Sequence, residues 1–182
     1  MPIPGAGEDV RILIADDHGI VRSGLRMLLE QQDDIEVIAE AADGAEARDT
    51  AIRERPDLAI LDVKMPKLTG LQATREIREQ APDVAVLILS MYDDERYLFE
   101  ALKAGASGYV LKTQADTDLL AAIRAVERGE PFHTPEAQRA LIKDVLGQGV
   151  GRSDELTPRE QEVVKLVAEA HTNKEIAEIL HL

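Results

Sequence analysis

The 182-residue sequence predicts an α/β fold built on a doubly wound, five-stranded parallel sheet. Two observations predict this fold class. Short aliphatic runs alternate with helix-length amphipathic stretches through about the first 130 residues, which is typical of repeated strand–helix units. Several of these runs are apolar on both faces, which indicates strands that helices cover on both sides. The first domain is therefore predicted at residues 9–130.

Five aliphatic runs are predicted as the strands of this sheet. They are Val10–Ala15, Glu36–Ala41, Leu58–Leu61, Val84–Leu89 and Gly108–Leu111. After each run, apolar residues recur at three- and four-residue spacing, which predicts an amphipathic helix. The helical stretches read GIVRSGLRMLLEQQ, DGAEARDTAIRER, TGLQATREIREQ, DDERYLFEALKAG and ADTDLLAAIRAVERG. Five such units correspond to a flavodoxin-like sheet, in which the first and third strands are neighbours.

The chain beyond residue 130 is predicted to hold a linker and a partial, all-α second unit. Residues 131–154 contain one predicted helix, at about 135–146, followed by a Gly-rich polar stretch. Residues 155–182 predict two helices joined by a tight turn, at about 158–169 and 173–181. Each of these begins with a capping box, formed by Thr157 with Glu160 and by Thr172 with Glu175. Two helices of this length bury too little surface to be stable alone.

The composition excludes several classes of protein. The apolar share is 45% and the aromatic share 3%, which predicts an aliphatic core, and cysteine is absent, which excludes disulfides and thiolate metal sites. No stretch approaches the ~20 apolar residues of a membrane helix, and MPIPGAGED lacks the features of a secretory signal. We therefore expect a soluble, cytoplasmic protein without a membrane partner. The net charge of −14 argues against nucleic-acid binding by the chain as a whole.

Polar residues stand where the predicted strands end. The stretch VRILIADDH ends an apolar strand in two adjacent carboxylates, Asp16 and Asp17, and Asp62 ends the third strand. Ser90 and Lys112 stand at the ends of the fourth and fifth strands. Because ligands gather beyond the carboxyl ends of parallel strands, we expect these five side chains to meet at one edge of the sheet.

The chemistry of this group predicts a phosphoryl-transfer site. Three carboxylates repel one another strongly without a cation, and an all-oxygen ligand set suits Mg²⁺. A lysine and a hydroxyl complete the charge neutralisation and positioning that phosphoryl transfer requires, and a carboxylate can itself be the nucleophile. Taken singly, the residues allow plainer interpretations: the acids as a helix cap, Ser90 as a hydrogen-bonded hydroxyl, Lys112 as a surface lysine. His18 is interpreted as a helix-start residue rather than a ligand.

The motifs ADDH, LDVKMPKLTG, LSMYDDE, GASGYVLK and LTPREQEVVKLVAEAHTNKEIAEIL resemble two-component response regulators of the LuxR/NarL type over residues 10–182. The resemblance implies a receiver domain at residues 9–130, in which Asp62 accepts a phosphoryl group from a sensor histidine kinase. It also implies a Mg²⁺ pocket that includes Asp16, with Asp17, Asp62 and the backbone carbonyl of Lys64 as direct ligands.

The same resemblance implies a switch. Ser90 and Lys112 would hold the phosphoryl oxygens, and Tyr109 would turn inward when Ser90 moves. Phosphorylation adds charge and strong acceptor oxygens, and such a change biases a two-state face of the domain.

By resemblance, residues 155–182 are the first two helices of a LuxR-type helix-turn-helix, and the chain stops at Leu182 before the recognition helix. Residues 152–182 carry four basic residues against seven acidic ones, a poor balance for phosphate contacts. We therefore expect no DNA-binding residues in this chain and assign DNA binding to a full-length parent. A homodimer is a further expected partner.

The leading hypothesis is a phosphorylation-dependent regulator of transcription, with no enzymatic activity beyond phosphorylation and dephosphorylation of its own Asp62. One alternative is a phosphohydrolase or phosphotransferase that uses the same aspartyl-phosphate chemistry, although the sequence contains no long insertion to form a lid over the pocket. The other is a receiver-type module that signals through protein contacts only.

Overall fold

A computed structural model of the chain describes residues 9–91, 95–130 and 132. The chain divides into two compact units, Met1–Leu141 and Ile142–Leu182, and the described residues all belong to the first. The linker helix at about 135–146 and the two helices predicted within residues 155–182 lie outside the described residues.

The described residues form five strands and five helices in strict alternation, as the sequence predicts. The strands are β1 (Val10–Ala15), β2 (Ile35–Ala41), β3 (Leu58–Asp62), β4 (Ala85–Ser90) and β5 (Gly108–Leu111). The helices are α1 (Gly19–Leu29), α2 (Gly44–Glu54), α3 (Gly70–Gln80), α4 (Glu95–Lys103) and α5 (Ala115–Glu127), the last preceded by a short 3₁₀ turn, Lys112–Gln114. All strand pairs are parallel and the order is β2-β1-β3-β4-β5. The flavodoxin-like prediction is confirmed.

Two separate hydrophobic cores cover the two faces of the sheet. Along β1 and β3, Ile12, Ile14 and Ile60 belong to the core that also contains α1 and α5 residues. Their neighbours Leu13 and Leu61 belong to the other core, with residues of α2, α3 and α4. Every residue of β3 is buried. Helices on both faces therefore explain why the central strands are continuous apolar runs.

The edge strand β2 contains a bulge. Ile12 pairs with Val37 but the next residue, Leu13, pairs with Ala39, so Ile38 is the extra residue. Because side chains alternate between faces, one extra residue moves the following residues to the opposite face. Val37 accordingly packs in the α1–α5 core, whereas Ala41 packs in the α2–α4 core.

Helix α5 ends at a left-handed glycine. Gly129 has φ +75°, a conformation that side chains with a Cβ disfavour. Its amide bonds the carbonyl of Val126, and the Glu130 amide bonds that of Ala125, both at 2.9 Å, which satisfies the last carbonyls of the helix. The domain boundary that the sequence predicts follows directly after this cap. Within the described ranges, no helix is long and apolar enough to cross a membrane.

Candidate functional site

Strands β1, β3, β4 and β5 end at the same edge of the sheet, and each end carries a predicted site residue. Asp62 is the last residue of β3 and Ser90 the last of β4. Asp16 follows β1 directly, and Lys112 follows β5 as the first residue of the 3₁₀ turn. The order β1-β3-β4-β5 places these ends side by side.

Lys112 joins the acids of two strands. Its Nζ lies 2.5 Å from Oδ2 of Asp16 and 3.0 Å from Oδ1 of Asp62. The side chain of Asp16 is 1% exposed, that of Asp62 8% and that of Lys112 10%. Charged groups this deeply buried require partners, and the single ammonium serves both carboxylates.

The electrostatics of the pocket leave an excess of negative charge. Burial raises the pKa of Asp62; the hydrogen bond and charge of Lys112 oppose that effect, and repulsion from Asp16 and Asp17 adds to it. Burial alone would lower the pKa of Lys112, but hydrogen bonds to Asp16 and Asp62 and their negative charges raise it above its ordinary value. Two carboxylates therefore share one ammonium, and the repulsion of Asp16 and Asp17 acts on Asp62.

Asp17 and His18 form the exposed rim of the pocket. Nδ1 of His18 lies 2.8 Å from Oδ1 of Asp17 and 3.2 Å from Oδ1 of Asp16. One potential ligand atom from each of these three residues lies within 4.8 Å of the others. Among the described residues, Asp62 is not part of this close group; Lys112 connects it to Asp16.

Neither acid of the pair is the cap of α1. The N-cap of α1 is His18, and its side chain makes no capping hydrogen bond. Oδ1 of Asp16 accepts a hydrogen bond from the His18 backbone amide at 2.8 Å, so Asp16 supports the cap residue without being the cap itself. His18 is the helix-start residue that the sequence predicts, and it also contacts both carboxylates.

Ser90 and Tyr109 lie on the same face of adjacent strands. Tyr109 pairs with Ile88, two residues before Ser90, and alternation along β4 places Ser90 on the face of Ile88. Ser90 is fully buried, and Tyr109 is 5% exposed within the α2–α4 core. In this structure Tyr109 is thus in an inward, buried position.

The loop between β3 and α3 is held at its end by α3. This loop carries Lys64, which is exposed. The amide of Gly70, the first residue of α3, bonds the carbonyl of Val63 at 2.9 Å. A Cβ on Gly70 would lie 2.0 Å from the carbonyl oxygen of Asp62, so only glycine permits this approach. Helix α3 therefore supports the backbone of the predicted phosphoryl acceptor directly.

The middle of the same loop is held by α2. Asp43 caps α2: its Oδ1 accepts hydrogen bonds from the amides of Ala45 and Glu46. Its Oδ2 accepts a 2.6 Å bond from Nζ of Lys67 in the loop. The amide of Gly44 bonds the carbonyl of Pro66 at 3.3 Å.

Sequence reasoning missed several residues that support the site. Nη1 of Arg22 donates a 2.6 Å hydrogen bond to the backbone carbonyl of Asp16, and Asp43 with Lys67 ties the loop to α2. The only sequence signal for Asp43 was its place before the Gly44 helix start, and Arg22 and Lys67 resembled surface residues. Their roles depend on contacts between distant segments.

The residues present fit a hard divalent cation. Asp16 and Asp17 supply oxygen donors at one strand end, and the charge of the acids exceeds that of Lys112. Carboxylate oxygens are the donors that Mg²⁺ prefers. With a buried carboxylate, an ammonium and a hydroxyl at neighbouring strand ends, the edge can hold a phosphoryl group and neutralise it.

The chain matches two family models. Residues 12–124 match the response regulator receiver domain, and residues 154–182 match the bacterial regulatory proteins of the luxR family. Among curated relatives, the oxygen regulatory protein NreC of Staphylococcus carnosus (strain TM300) is 44% identical over 179 residues, which is 94% of this chain and 82% of that protein. NreC of Staphylococcus aureus (strain MRSA252) is 42% identical over 179 residues, with the same coverage of 94% and 82%.

Solved structures show the same similarity. A LuxR-family two-component response regulator from Aurantimonas sp. SI85-9A1 superposes with a TM-score of 0.70 at 34% identity, covering 76% of this chain and 99% of that one. RcsB, in a structure of two RcsB dimers bound to two parallel DNAs, gives a TM-score of 0.72 at 30% identity, covering 96% of this chain and 84% of that one.

Proposed function

Since the chain belongs to the response regulators, with a receiver domain followed by a luxR-family region, we propose that phosphorylation of Asp62 controls its action as a transcription regulator. The observation that carries this proposal is the Lys112 ammonium shared between the buried carboxylates of Asp16 and Asp62. That arrangement neutralises charge at the end of β3, and it gives the Asp62 side chain a fixed orientation.

The proposed reaction is a phosphoryl transfer onto a carboxylate. An Oδ of Asp62 attacks phosphorus in line with the leaving group; the new O–P bond forms as the P–N bond of a donor phosphohistidine breaks, and the donor imidazole keeps the electron pair. Lys112 and Ser90 then contact the phosphoryl oxygens. Asp16, Asp17, Asp62 and the Lys64 carbonyl would hold Mg²⁺, which when bound neutralises phosphoryl charge. Hydrolysis of the same bond returns Asp62.

Ser90 and Tyr109 are proposed as the switch. They lie on one face of adjacent strands, with Tyr109 diagonal to Ser90, so a shift of Ser90 toward the phosphoryl group changes the space available to Tyr109. That face of the sheet packs in the α2–α4 core. Phosphorylation can be transmitted through this face only if two arrangements of the face differ in their interaction energy with the phosphorylated site.

The proposed donor is a sensor histidine kinase that docks on α1. This helix exposes two large apolar side chains, Ile20 at 90% and Met27 at 68%, and it begins beside the acid pair. Exposed apolar side chains of this size favour a protein contact. We expect Ile20→Ser to slow transfer from the cognate kinase while leaving labelling by a small phosphodonor at the wild-type rate.

For a chain that carries a full luxR-type helix-turn-helix, DNA is the proposed second partner, as in the structure of RcsB dimers on DNA. A homodimer is proposed for the same reason. The expectation that this chain by itself does not bind DNA stays a prediction, as does its cytoplasmic location. Gel-shift titration at stated salt concentrations, with this chain beside one extended at its C-terminus, tests the DNA prediction.

The central experiment is labelling by a small phosphodonor, acetyl phosphate, followed by intact mass spectrometry. We expect a gain of one phosphoryl group that requires Mg²⁺ and that Asp62→Asn abolishes. Asp49→Asn, an exposed carboxylate on α2, is the matched control and should label normally. Label that persists in Asp62→Asn would refute the assignment. Steady turnover of a phosphate ester would instead favour the phosphohydrolase alternative.

A further inference from the structure

We propose that the ion pair between Asp43 and Lys67 is a positioning element for phosphorylation: it fixes the β3–α3 loop, residues 63–69, in the shape that holds Asp62 and the Lys64 carbonyl in place. This inference rests on the proposed function of Asp62. Neither residue touches the reacting atoms, so both act through the loop backbone.

Lys67 adopts a backbone conformation that its own side chain disfavours. Its φ is +64°, in the left-handed region, and the Leu68 amide bonds the carbonyl of Pro66 at 2.8 Å, which closes a tight turn around Lys67. A non-glycine residue in this region costs about 1 kcal/mol. Such a conformation persists only where the surroundings hold it.

The surroundings that hold this turn belong to α2. Nζ of Lys67 reaches 2.6 Å from Oδ2 of Asp43, whose side chain is 12% exposed, although Lys67 itself is 67% exposed. The Gly44 amide bonds the Pro66 carbonyl, and a Cβ on Gly44 would lie 2.0 Å from the Leu68 carbonyl oxygen. The turn therefore packs against the first residues of α2 so closely that no Cβ fits at Gly44.

Helix α2 holds the Asp43 side chain independently of its contact with the loop. Its other carboxylate oxygen accepts the amides of Ala45 and Glu46 at the start of α2. The hydrogen bond from Lys67 and these amide bonds lower the pKa of Asp43. The Asp43 carboxylate therefore stays ionised and remains paired with the Lys67 ammonium. An anchored carboxylate makes the pair a rigid link between α2 and the loop.

The loop has two supports of different kinds. At its α3 end the Gly70 amide bonds Val63, the residue directly after Asp62. In its middle, the Asp43–Lys67 pair and the Gly44–Pro66 bond hold the turn. Lys64 lies between Asp62 and this middle support. Loss of the pair should therefore loosen the Lys64 carbonyl and slow the reaction at Asp62, without removing the strand that carries it.

The test is a double-mutant cycle with Lys67→Met, Asp43→Asn and the double variant, because asparagine still caps a helix but carries no charge. We measure the rate of labelling by acetyl phosphate and the Mg²⁺ concentration that gives half the maximal rate. We also measure amide hydrogen exchange at Leu68 and Gly70, and thermal unfolding. Each single variant should label about tenfold more slowly, exchange faster at Leu68, and need more Mg²⁺. The double variant should label at the same rate as each single variant, because the ion pair is already lost in either one.

A further variant separates positioning from stability. Lys67→Gly removes the ion pair but also the cost of the left-handed conformation. Its melting temperature should therefore equal or exceed that of Lys67→Met, while its labelling rate should be as low as that of Lys67→Met. Arg128→Met, which breaks an exposed pair with Glu130 at the end of α5, is the control and should label normally. Labelling of Lys67→Gly and Lys67→Met at the wild-type rate, whatever their stability, overturns the inference and leaves the proposed function intact. A wild-type chain that takes no label overturns both.

Discussion

Substitution of Gly70 by alanine tests how closely α3 controls the position of Asp62. The added Cβ would lie 2.0 Å from the carbonyl oxygen of Asp62 and 2.9 Å from its carbonyl carbon. Ordinary van der Waals contact begins at 3.4 Å, so the backbones must separate by the difference, about 1.4 Å. Strand β3 is buried on both faces and moves little; the start of α3 and the loop must take up most of the shift.

Two effects follow from this displacement. Forcing an extra carbon into a packed site costs typically ~1–3 kcal/mol, which lowers the melting temperature by several degrees for a domain of this size. The Gly70–Val63 hydrogen bond is broken or stretched, and the backbone at Asp62 loses its support. A misplacement of about 1 Å at a reacting group can reduce a rate on the order of a hundredfold. We therefore expect a loss of labelling that far exceeds the loss of stability.

The assay compares labelling rates with acetyl phosphate at a temperature well below the melting point of the variant, with the folded fraction measured by circular dichroism. Gly24→Ala is the matched control, because a Cβ at this exposed position in α1 meets nothing within 4 Å. It should label normally and gain about 0.5–1 kcal/mol of stability from the loss of a helical glycine. If folded Gly70→Ala labels at the wild-type rate, the close approach of α3 does not set the geometry of Asp62.

Two further predictions follow from the charged groups. Lys112→Met leaves the buried carboxylates of Asp16 and Asp62 without their ammonium, and we expect the free energy of unfolding to fall by about 3 kcal/mol near neutral pH. Urea unfolding at several pH values should show this loss shrinking as acid protonates Asp62, whose pKa burial raises. An unchanged loss at low pH would contradict the electrostatic origin. Lys67 lowers the folded-state pKa of Asp43. The wild type should therefore be more stable than Asp43→Asn by the full amount above the ordinary carboxylate pKa of about 3.9, and this advantage should vanish as pH falls through the lower folded-state pKa. Melting curves across that pH range check the direction of the change, and an advantage that grows with acidity would contradict it.

The fold could be predicted because each strand corresponds to a run of apolar residues in the sequence. Both faces of β3 and β4 are covered, so the buried apolar residues are contiguous in sequence, and polar residues mark where the apolar runs end. The predicted end of β4 was one residue short, since Ser90 is still within the strand and pairs with Leu111. A buried serine at a strand end is not distinguishable by composition from a loop serine.

The strand-end residues of the site were predictable for the same reason, whereas the contacts that hold them were not. Sequence order places Asp16, Asp62 and Lys112 at one edge, but the sharing of one ammonium by two acids depends on side-chain reach across strands. The bond between Asp43 and Lys67 joins positions 24 residues apart and depends on a left-handed turn. No local pattern encodes such a contact.

The bulge in β2 has a consequence for the behaviour of the chain in concentrated solution. It turns Glu40 away from the α2–α4 core and toward Arg22 and Arg26 of α1, which it contacts at 3.4 and 2.6 Å. An edge strand that is irregular and carries glutamates within it, here Glu36 and Glu40, is a poor template for strand addition by another molecule. The border of the sheet that would otherwise invite aggregation is thereby protected, and the repulsion expected of a net charge of −14 acts in the same direction.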